Sequence, residues 1–269
     1  MILRIDEPLA RHTAWRTGGR CGAWVVVASL AELAEVTAEC RAVDWKCTLL
    51  GHGTRTVWRD APVVGAVVRL GGAVGLVEAE EPAWRVGAAV PLPALLARAA
   101  AAGRAGLEDL AGVPGSVGAS LALDPGWEAI ATEVEVLHRG KAHRVSLAEA
   151  RDGKKMILAA TLALRPDRPD AVRRRLDRVL GNRTRTTTPA SSWYAPSRIP
   201  LREVFASVQL PRVRLREVAI PATAPEMLIN LGGGTASDLA LLQKSAQERV
   251  KSTRGFELDS RVLWQGGAT

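Results

Sequence analysis

The sequence predicts a globular protein that mixes helices with β-sheet and divides into two domains. Of its 269 residues, 47% are hydrophobic, which is enough to supply a buried core. Only 4% are aromatic, so Ala, Val and Leu must fill most of that core, a composition that favours mixed helix and sheet. The polar stretch TRTTTPASSW, residues 184–193, indicates a loop between the two domains.

Strand and helix signals alternate through the first 70 residues. GAWVVV, residues 22–27, is an apolar run typical of a strand. Ser29 is placed to cap a helix over residues 30–43, where apolar residues repeat at helical spacing. CTLL, residues 47–50, and VVGAVVRL, residues 63–70, predict further strands on either side of the loop GHGTRT. Strand, helix and strand in this order indicate a βαβ-type unit.

The middle of the chain predicts a helix, a hairpin and a strand. PLPALLARAAAAGRAG, residues 91–106, has prolines at its start, alanines and leucines through it, and glycines at its end, which is typical of a helix. Alternating runs over residues 133–147 predict a hairpin that turns at Arg139 and Gly140. MILAATLALRP, residues 156–166, predicts the next strand.

Charge is concentrated in one segment of a basic chain. The formal net charge of +8 suits an anionic partner such as a nucleotide, a nucleic acid or a membrane surface. The densest basic run, residues 165–189, has helical apolar spacing and predicts a helix over residues 165–185. Its charges are interpreted either as a solvated helix face or as an attraction for phosphates. It has no interleaved aromatic residues for base stacking.

A further helix is predicted over TASDLALLQKSAQERVKSTR, residues 235–254. Thr235 or Ser237 can cap it, and Asp238 lies where a negative charge complements the helix dipole. Gly255 is predicted to end it.

The cysteines and the amino-terminal segment indicate a cytoplasmic protein. Three cysteines are an odd number and lack metal-ligand spacing, so neither a disulfide framework nor a metal site is expected. The first twelve residues contain acids and no long apolar stretch, and no segment is long enough to span a membrane. We therefore expect no membrane insertion.

The segment LAGVPGSVGASLALDPGW, residues 110–127, holds three closely spaced glycines. Gly112, Gly115 and Gly118 remove side chains from one short path. Bare backbone of this kind serves where a phosphate or a flat ring approaches main-chain N–H groups, or where the chain bends tightly. The spacing alone leaves both interpretations open.

Several segments, in their order along the chain, resemble the flavin-dependent UDP-N-acetylenolpyruvoylglucosamine reductases of bacterial cell-wall synthesis, the MurB type. HTAWRTGGRCGAWV is similar to the family's opening T-x-x-x-x-GG segment, LLGHGTRTVWRD to its L-G-x-G-S-N flavin loop, and the three-glycine segment to its G-I-P-G-T-V-G-G-A motif. The cofactor-binding residues that this resemblance implies are Gly18, Gly19, Gly51, His52, Gly53, Thr54, Arg55, Gly112, Pro114, Gly115, Ser116 and Gly118.

The resemblance implies an α+β fold with a two-part FAD-binding domain of the MurB/vanillyl-alcohol-oxidase type and a smaller α+β substrate domain. The FAD-binding domain is expected over residues 1–165 and the substrate-binding domain over residues 166–250. Residues 251–269 are expected to return to the active site. FAD is the implied cofactor, NADPH the co-substrate and a UDP-sugar the substrate of a monomer or weak homo-oligomer that binds no nucleic acid.

Two catalytic residues follow from the resemblance. ASSWYAP is similar to the family's G-S-x-F-x-N-P segment, which places Ser191 on the hydroxyl that protonates the substrate. By its residue type alone, Ser191 is an ordinary loop hydroxyl. Arg151 is the match to the arginine of a Y-R-x-S segment that holds the substrate carboxylate or the enolate; otherwise it is a surface arginine.

Several departures from the family pattern fall at functional positions, among them Arg55 and Ala195, each where the family has asparagine. Ala119 replaces a glycine, and Asp124 replaces an asparagine, where its carboxylate would repel a diphosphate. Ala224 occupies a histidine position, and Arg261 occupies that of the carboxyl-terminal glutamate. Arginine cannot exchange a proton at neutral pH. Asp259 and Glu257 lie two and four residues away, and an even shift along a strand keeps the same face, so Asp259 is a possible substitute.

These observations define three functional hypotheses. The first is an FAD-dependent, NADPH-using reductase of UDP-N-acetylenolpyruvoylglucosamine in peptidoglycan synthesis. The alternative is a reductase-like protein that keeps the fold but has lost turnover or FAD, and acts as a binding module or on another substrate. The third is a nucleic-acid-binding protein, which basic charge suggests without any recognisable reading motif.

Overall fold

A computed structural model of the chain describes residues 1–71, 76–80, 83–181, 193–194 and 200–266. The helices are α1 Leu30–Ala42, α2 Leu92–Ala101, α3 Val117–Leu123, α4 Leu147–Ala150, α5 Pro169–Gly181, α6 Leu201–Ser207 and α7 Ala236–Arg254. The strands are β1 Ile2–Pro8, β2 Arg20–Val27, β3 Lys46–Leu49, β4 Thr56–Trp58, β5 Val63–Leu70, β6 Val77–Glu80, β7 Ala83–Gly87, β8 Arg104–Ala105, β9 Ala131–His138, β10 Lys141–Val145, β11 Met156–Leu162, β12 Arg165–Pro166, β13 Trp193–Tyr194, β14 Arg214–Leu215, β15 Val218–Ala219, β16 Ile229–Asn230, β17 Asp259–Ser260 and β18 Leu263–Gln265.

The chain forms two compact units, and each is assembled from separate stretches of sequence. Unit 1 comprises Met1–Ile5, Gly22–His52 and Val64–Arg183, and unit 2 comprises Asp6–Cys21, Gly53–Val63 and Thr184–Thr269. The boundaries at residues 165 and 250 were predicted from the expected binding of cofactor and substrate. They stay predictions.

Two sheets organise unit 1. An antiparallel five-stranded sheet has the strand order β10-β9-β11-β7-β6, and its apolar face packs with helices α2, α3 and α5 around Trp84, Val117 and Trp127. A second sheet has the order β1-β2-β5-β3, in which β3 and β5 run parallel. Helix α1 covers it through residues such as Leu33 and Val36. In the predicted βαβ-type unit, β5 therefore lies between β2 and β3.

Local chemistry explains why the predicted elements of unit 1 form where they do. The Ser29 hydroxyl accepts a hydrogen bond from the Glu32 N–H and so caps α1, as predicted. Strands β9 and β10 form the predicted hairpin, in which Arg139 and Gly140 have φ of +51° and +79°. Two successive positive φ values are those of a type I′ turn, which matches the twist of an antiparallel pair.

Unit 2 has short strands and one long helix. Strands β14, β15 and β16 form a small sheet, β13 pairs with β17, and β4 pairs with β18 in parallel. Helix α7 packs into a core that contains Trp15, Trp193 and Phe205. Thr235 and Asp238 form a capping box at its start, and Gly255, with φ of +74°, ends it.

The structure corrects two details of the predicted elements. The basic helix starts at Pro169 rather than at residue 165, because Arg165 and Pro166 pair with β8. The glycine segment, which was interpreted only as a loop, contains helix α3. Nowhere in the described ranges is a helix both long and apolar enough to cross a membrane.

Candidate active site

The three-glycine segment of unit 1 leads into helix α3 and packs tightly on the turn that follows β7. Ser116 caps α3, and the N–H groups of Val117 and Gly118 donate to the carbonyls of Val90 and Ala88 at 2.9 Å. A Cβ on Gly118 would lie 2.7 Å from the Cβ of Ala88. The missing side chain at Gly118 is therefore required by helix packing, one of the two roles that the sequence left open for these glycines.

The other two glycines of this segment are in conformations that side chains disfavour. Gly112 and Gly115 have φ of +78° and +113°. Gly115 is buried together with Ser116, whereas Gly112 is exposed and Pro114 is partly exposed. The segment thus bends at its glycines and buries the backbone that precedes α3.

The loop after β3 approaches the same segment within unit 1. A Cβ on Gly51 would lie 2.4 Å from the Ser116 hydroxyl oxygen, so only glycine allows this approach. His52, the next residue, is partly exposed. Two motifs that lie 65 residues apart in sequence, at Gly51 and Ser116, are therefore neighbours in space.

The remaining glycines of the predicted site lie in unit 2. Gly53 has φ of +64°, and a Cβ there would lie 2.0 Å from the His12 carbonyl oxygen. The Gly53 carbonyl accepts a hydrogen bond from Ala14 at 3.0 Å. A Cβ on Gly18 would meet Trp58 at 2.7 Å, and one on Gly19 would meet the Ala61 carbonyl oxygen at 2.4 Å. These glycines hold the opening segment against the strand that follows the GHGTRT loop.

Both units present main-chain donors for which the described part of the chain supplies no acceptor. Among the described residues, none accepts a hydrogen bond from the N–H groups of Gly51, His52, Gly115 or Ser116 in unit 1. In unit 2, the same is true of Gly53 and Thr54 within the described ranges. Successive backbone N–H groups of this kind fit the oxygens of a diphosphate.

Arg151 is held at the end of α3. Its Nε donates to the Leu121 carbonyl at 2.7 Å and one terminal nitrogen donates to the Asp124 carbonyl at 2.5 Å. The other terminal nitrogen forms an ion pair with Glu128. Arg151 thus satisfies carbonyls that a helix end leaves without partners.

Asp124 belongs to a buried polar network of unit 1. Its carboxylate accepts a hydrogen bond from the Ser120 hydroxyl at 2.7 Å, and that hydroxyl accepts one from the Trp127 indole at 3.0 Å. All three side chains are buried. This carboxylate therefore has a structural role in α3, which the sequence argument about a repelled diphosphate did not foresee.

The carboxyl-terminal segment of unit 2 carries the largest departure from the resemblance. Trp193 pairs with Ser260, so Arg261 directly follows a strand that lies beside β13. Ala224, at the position of the family histidine, is buried in unit 2. Ser191, the predicted acid, lies outside the described residues.

Arg55 is a buried guanidinium at a predicted flavin-loop position. Its side chain is only 4% exposed, and its carbonyl accepts a hydrogen bond from Leu263 at 2.8 Å. A buried arginine requires polar partners. It occupies the place where the family loop has asparagine.

Sequence reasoning gave Asn230 no role. Its side-chain oxygen accepts from the Gly232 and Gly234 N–H groups at 2.9 Å, and its amide nitrogen donates to the Trp15 and Gly234 carbonyls at 2.7 and 2.8 Å. The Trp15 indole donates to the Leu228 carbonyl at 2.9 Å. The retained N-L-G-G-G turn was the one signal available, because an amide is able to satisfy several turn amides at once.

Comparison with known proteins identifies the family, although no family model matches the chain. The UDP-N-acetylenolpyruvoylglucosamine reductase of Methylorubrum extorquens is 30% identical over 94% of this chain and 88% of its own length. The enzyme of that name from Rubrobacter xylanophilus is 29% identical over 96% of this chain and 94% of its own.

The fold agrees with a solved structure of a protein with this function. The crystal structure of UDP-N-acetylenolpyruvylglucosamine reductase (MurB) from Thermus caldophilus overlays with a TM-score of 0.83 at 23% identity, covering 98% of this chain and all of the other. The predicted MurB-type α+β fold is confirmed. On this evidence, the chain belongs to the UDP-N-acetylenolpyruvoylglucosamine reductase family of oxidoreductases.

Proposed function

We propose that the chain binds FAD and uses NADPH to reduce UDP-N-acetylenolpyruvoylglucosamine to UDP-N-acetylmuramate for peptidoglycan synthesis in the cytoplasm. The observation that supports this most directly is the set of N–H groups at the glycine loops that find no acceptor among the described residues. They stand at the positions where the family resemblance places the flavin diphosphate. The named relatives are reductases of this substrate.

The donors of two glycine loops lie close together within unit 1. The absence of a side chain at Gly51 lets its loop approach the Ser116 hydroxyl oxygen, which a Cβ on Gly51 would meet at 2.4 Å. Ser116 and the buried Gly115 offer N–H groups directly beside Gly51. Bound FAD would supply the hydride for the enolpyruvyl double bond after accepting one from NADPH.

The protein's own part in the proposed reaction is to hold the substrate and to deliver a proton. Ser191 is proposed to protonate the carbon beside the one that receives the hydride, and Arg151 is proposed to hold the substrate carboxylate or the enolate. The two roles are separable, because a hydroxyl supplies a proton and a guanidinium supplies only charge and hydrogen bonds.

Arg261 affects the rate that we expect for reduction of the substrate. At the family's glutamate position it cannot relay a proton, since guanidinium stays protonated at neutral pH. We therefore expect flavin reduction to proceed normally and substrate reduction to be slow. A general acid–base group contributes roughly 10²- to 10⁴-fold to a rate, which bounds the deficit.

The test follows the flavin through both half-reactions. Purified protein is incubated with FAD, desalted, and mixed with NADPH and then with UDP-N-acetylenolpyruvoylglucosamine without oxygen. Retained visible absorbance that bleaches with NADPH and returns with the substrate supports the proposal. Retained flavin that is not reoxidised by this substrate contradicts the substrate assignment, and loss of flavin on desalting contradicts the cofactor assignment.

Two variants separate the proposed roles. Ser191→Ala should leave bleaching by NADPH unchanged and slow reoxidation by the substrate, because it removes only the proton source. Equal loss of both steps would contradict that role. Arg261→Glu should raise the reoxidation rate, and no gain in a flavin-loaded variant would show that Arg261 does not limit turnover.

A further inference from the structure

Arg151 binds two backbone carbonyls and one exposed carboxylate, and only the carboxylate can be displaced by a ligand. The Leu121 and Asp124 carbonyls bind the Nε and one terminal nitrogen, which locks one edge of the guanidinium against the end of α3. The remaining terminal nitrogen faces the Glu128 carboxylate. The guanidinium is therefore oriented before any ligand arrives, and its open edge already holds a carboxylate.

Glu128 lies on the solvent side of this pair. Its side chain is 57% exposed, against 26% for Arg151. Its second carboxylate oxygen accepts a hydrogen bond from the Gly126 N–H at 2.8 Å. The hydrogen bond from Arg151 holds the pKa of Glu128 below its usual range, so the carboxylate is ionised at neutral pH.

An anion that approaches Arg151 from solvent meets Glu128 first. Carboxylate ligands prefer paired N–H bonds from a guanidinium, whereas Glu128 accepts from one terminal nitrogen of Arg151. The ion pair is exposed, and such pairs are weak, so an incoming carboxylate is able to displace Glu128. The displaced group remains nearby as a competitor, because the Gly126 N–H donates to its second carboxylate oxygen.

We infer that Glu128 is a built-in competitor for the carboxylate of the substrate at Arg151, and so sets the affinity of this chain for carboxylate-bearing nucleotide sugars. This inference rests on the proposed function, because the enolpyruvyl group supplies that carboxylate. Glu128 is thus a specificity-determining residue that acts through Arg151. Glu128 lowers the affinity for ligands whose carboxylate must bind Arg151, and it does not change the affinity for sugars without a carboxylate.

The test compares two ligands that differ in the carboxylate. UDP-N-acetylenolpyruvoylglucosamine carries it and UDP-N-acetylglucosamine does not. Dissociation constants are measured by calorimetry for the wild type, Glu128→Gln, Glu128→Ala and the control Glu133→Gln. Glu133 pairs with Arg144 at 3.4 Å on an exposed surface of the same unit, so its variant removes a comparable charge elsewhere. Glutamine at 128 keeps an acceptor for the Gly126 N–H.

We expect both Glu128 variants to bind the enolpyruvyl nucleotide about two- to fivefold more tightly, the range that an exposed ion pair represents. Binding of UDP-N-acetylglucosamine should not change, and Glu133→Gln should change neither constant. Arg151→Lys should weaken only the enolpyruvyl nucleotide, since lysine cannot reproduce the paired geometry.

Each of the other outcomes overturns a specific part of the inference. Unchanged affinity of the enolpyruvyl nucleotide in both Glu128 variants overturns the competitor role while the proposed function stands. Equal tightening of both ligands shows a general charge effect and also overturns it. Unchanged binding in Arg151→Lys overturns the placement of the carboxylate. No binding of either nucleotide to any form overturns the competitor role and the proposed function together.

Discussion

The glycine loops and the carboxyl-terminal segment follow the family pattern to different degrees. Gly51, Gly53 and Gly118 are retained, and each lies where a Cβ would meet other atoms at 2.7 Å or less. By contrast, the resemblance places Arg261 where the family has a glutamate, and this side chain is partly exposed. A position where a Cβ would collide with neighbouring atoms favours glycine, whereas a partly exposed position admits side chains of different charge. Packing therefore constrains the glycine positions more strictly than it constrains position 261.

The largest expected loss of stability comes from adding a side chain to a glycine loop. In Gly53→Ala, the new Cβ would lie 2.0 Å from the His12 carbonyl oxygen at a φ of +64°. We expect a loss of about 3 kcal/mol or more in the free energy of unfolding, measured by urea denaturation. The control is Gly153→Ala, with φ of +74° and nothing within 4 Å, where only the backbone conformation costs about 1 kcal/mol. Equal losses in both variants would refute a collision at Gly53.

Removal of Asn230 should have the next largest effect. Asn230→Ala leaves the Gly232, Gly234 and Trp15 backbone groups without their side-chain partner, and we expect a loss of about 2 to 3 kcal/mol. Asn230→Asp keeps the acceptors for the glycines and loses only the donor, so its loss should be smaller. An Asn230→Ala variant with wild-type stability would show that solvent replaces these bonds without cost.

A methyl group at Gly118 tests the same principle inside a helix. In Gly118→Ala, the Cβ would lie 2.7 Å from that of Ala88, and overpacking of this kind costs about 1 to 3 kcal/mol. The control is Gly181→Ala at the end of α5, where nothing lies within 4 Å. Thermal unfolding should show a lowered midpoint for the first variant alone. Because alanine favours a helix over glycine, Gly181→Ala should not lower the midpoint, and an equal lowering in this control would show that contact with Ala88 is not the cause.

The smallest expected effect is electrostatic and depends on pH. Hydrogen bonds from the Thr235 backbone and hydroxyl hold the pKa of Asp238 below its usual value of about 4. A lowered pKa in the folded state stabilises the protein above that value, and the stabilisation is lost as the pH falls through the folded-state pKa. Asp238→Asn should therefore lower the melting temperature at pH 7, and the difference should narrow toward pH 3. If the difference in melting temperature between Asp238→Asn and the wild type stayed constant with pH, the ionised carboxylate would be excluded as its source.

Much of the fold was predictable because its signals are local. Ser29 and Thr235 cap the helices they precede, and Gly255 ends α7, since caps depend on neighbouring residues only. The hairpin at Arg139 and Gly140 was predictable for the same reason, because its turn depends on adjacent residues. Helix α3 was missed because its seven residues sit between glycines and a proline, where turn signals dominate the sequence.

The candidate site was predictable only as a set of segments. Resemblance located the glycine loops, but the approach of Gly51 to Ser116 depends on contacts between residues far apart in sequence. Arg151 was identified without its partners, since no spacing rule connects it to Leu121, Asp124 and Glu128. Three of the four Asn230 hydrogen bonds are local, to Gly232 and Gly234, whereas the fourth reaches the Trp15 carbonyl in a segment distant in sequence.

The sequence by itself determined many of the helices and longer strands, and the order of the motifs on which the family resemblance rests. These depend on residue type and on local spacing, which a single chain displays directly. Only the tertiary structure decided that Gly118 is required by packing, that Asp124 is buried in a network with Ser120, and that Arg151 already holds Glu128. Such relations arise when distant segments meet in space, because burial and pairing belong to the folded contacts rather than to any one stretch of chain.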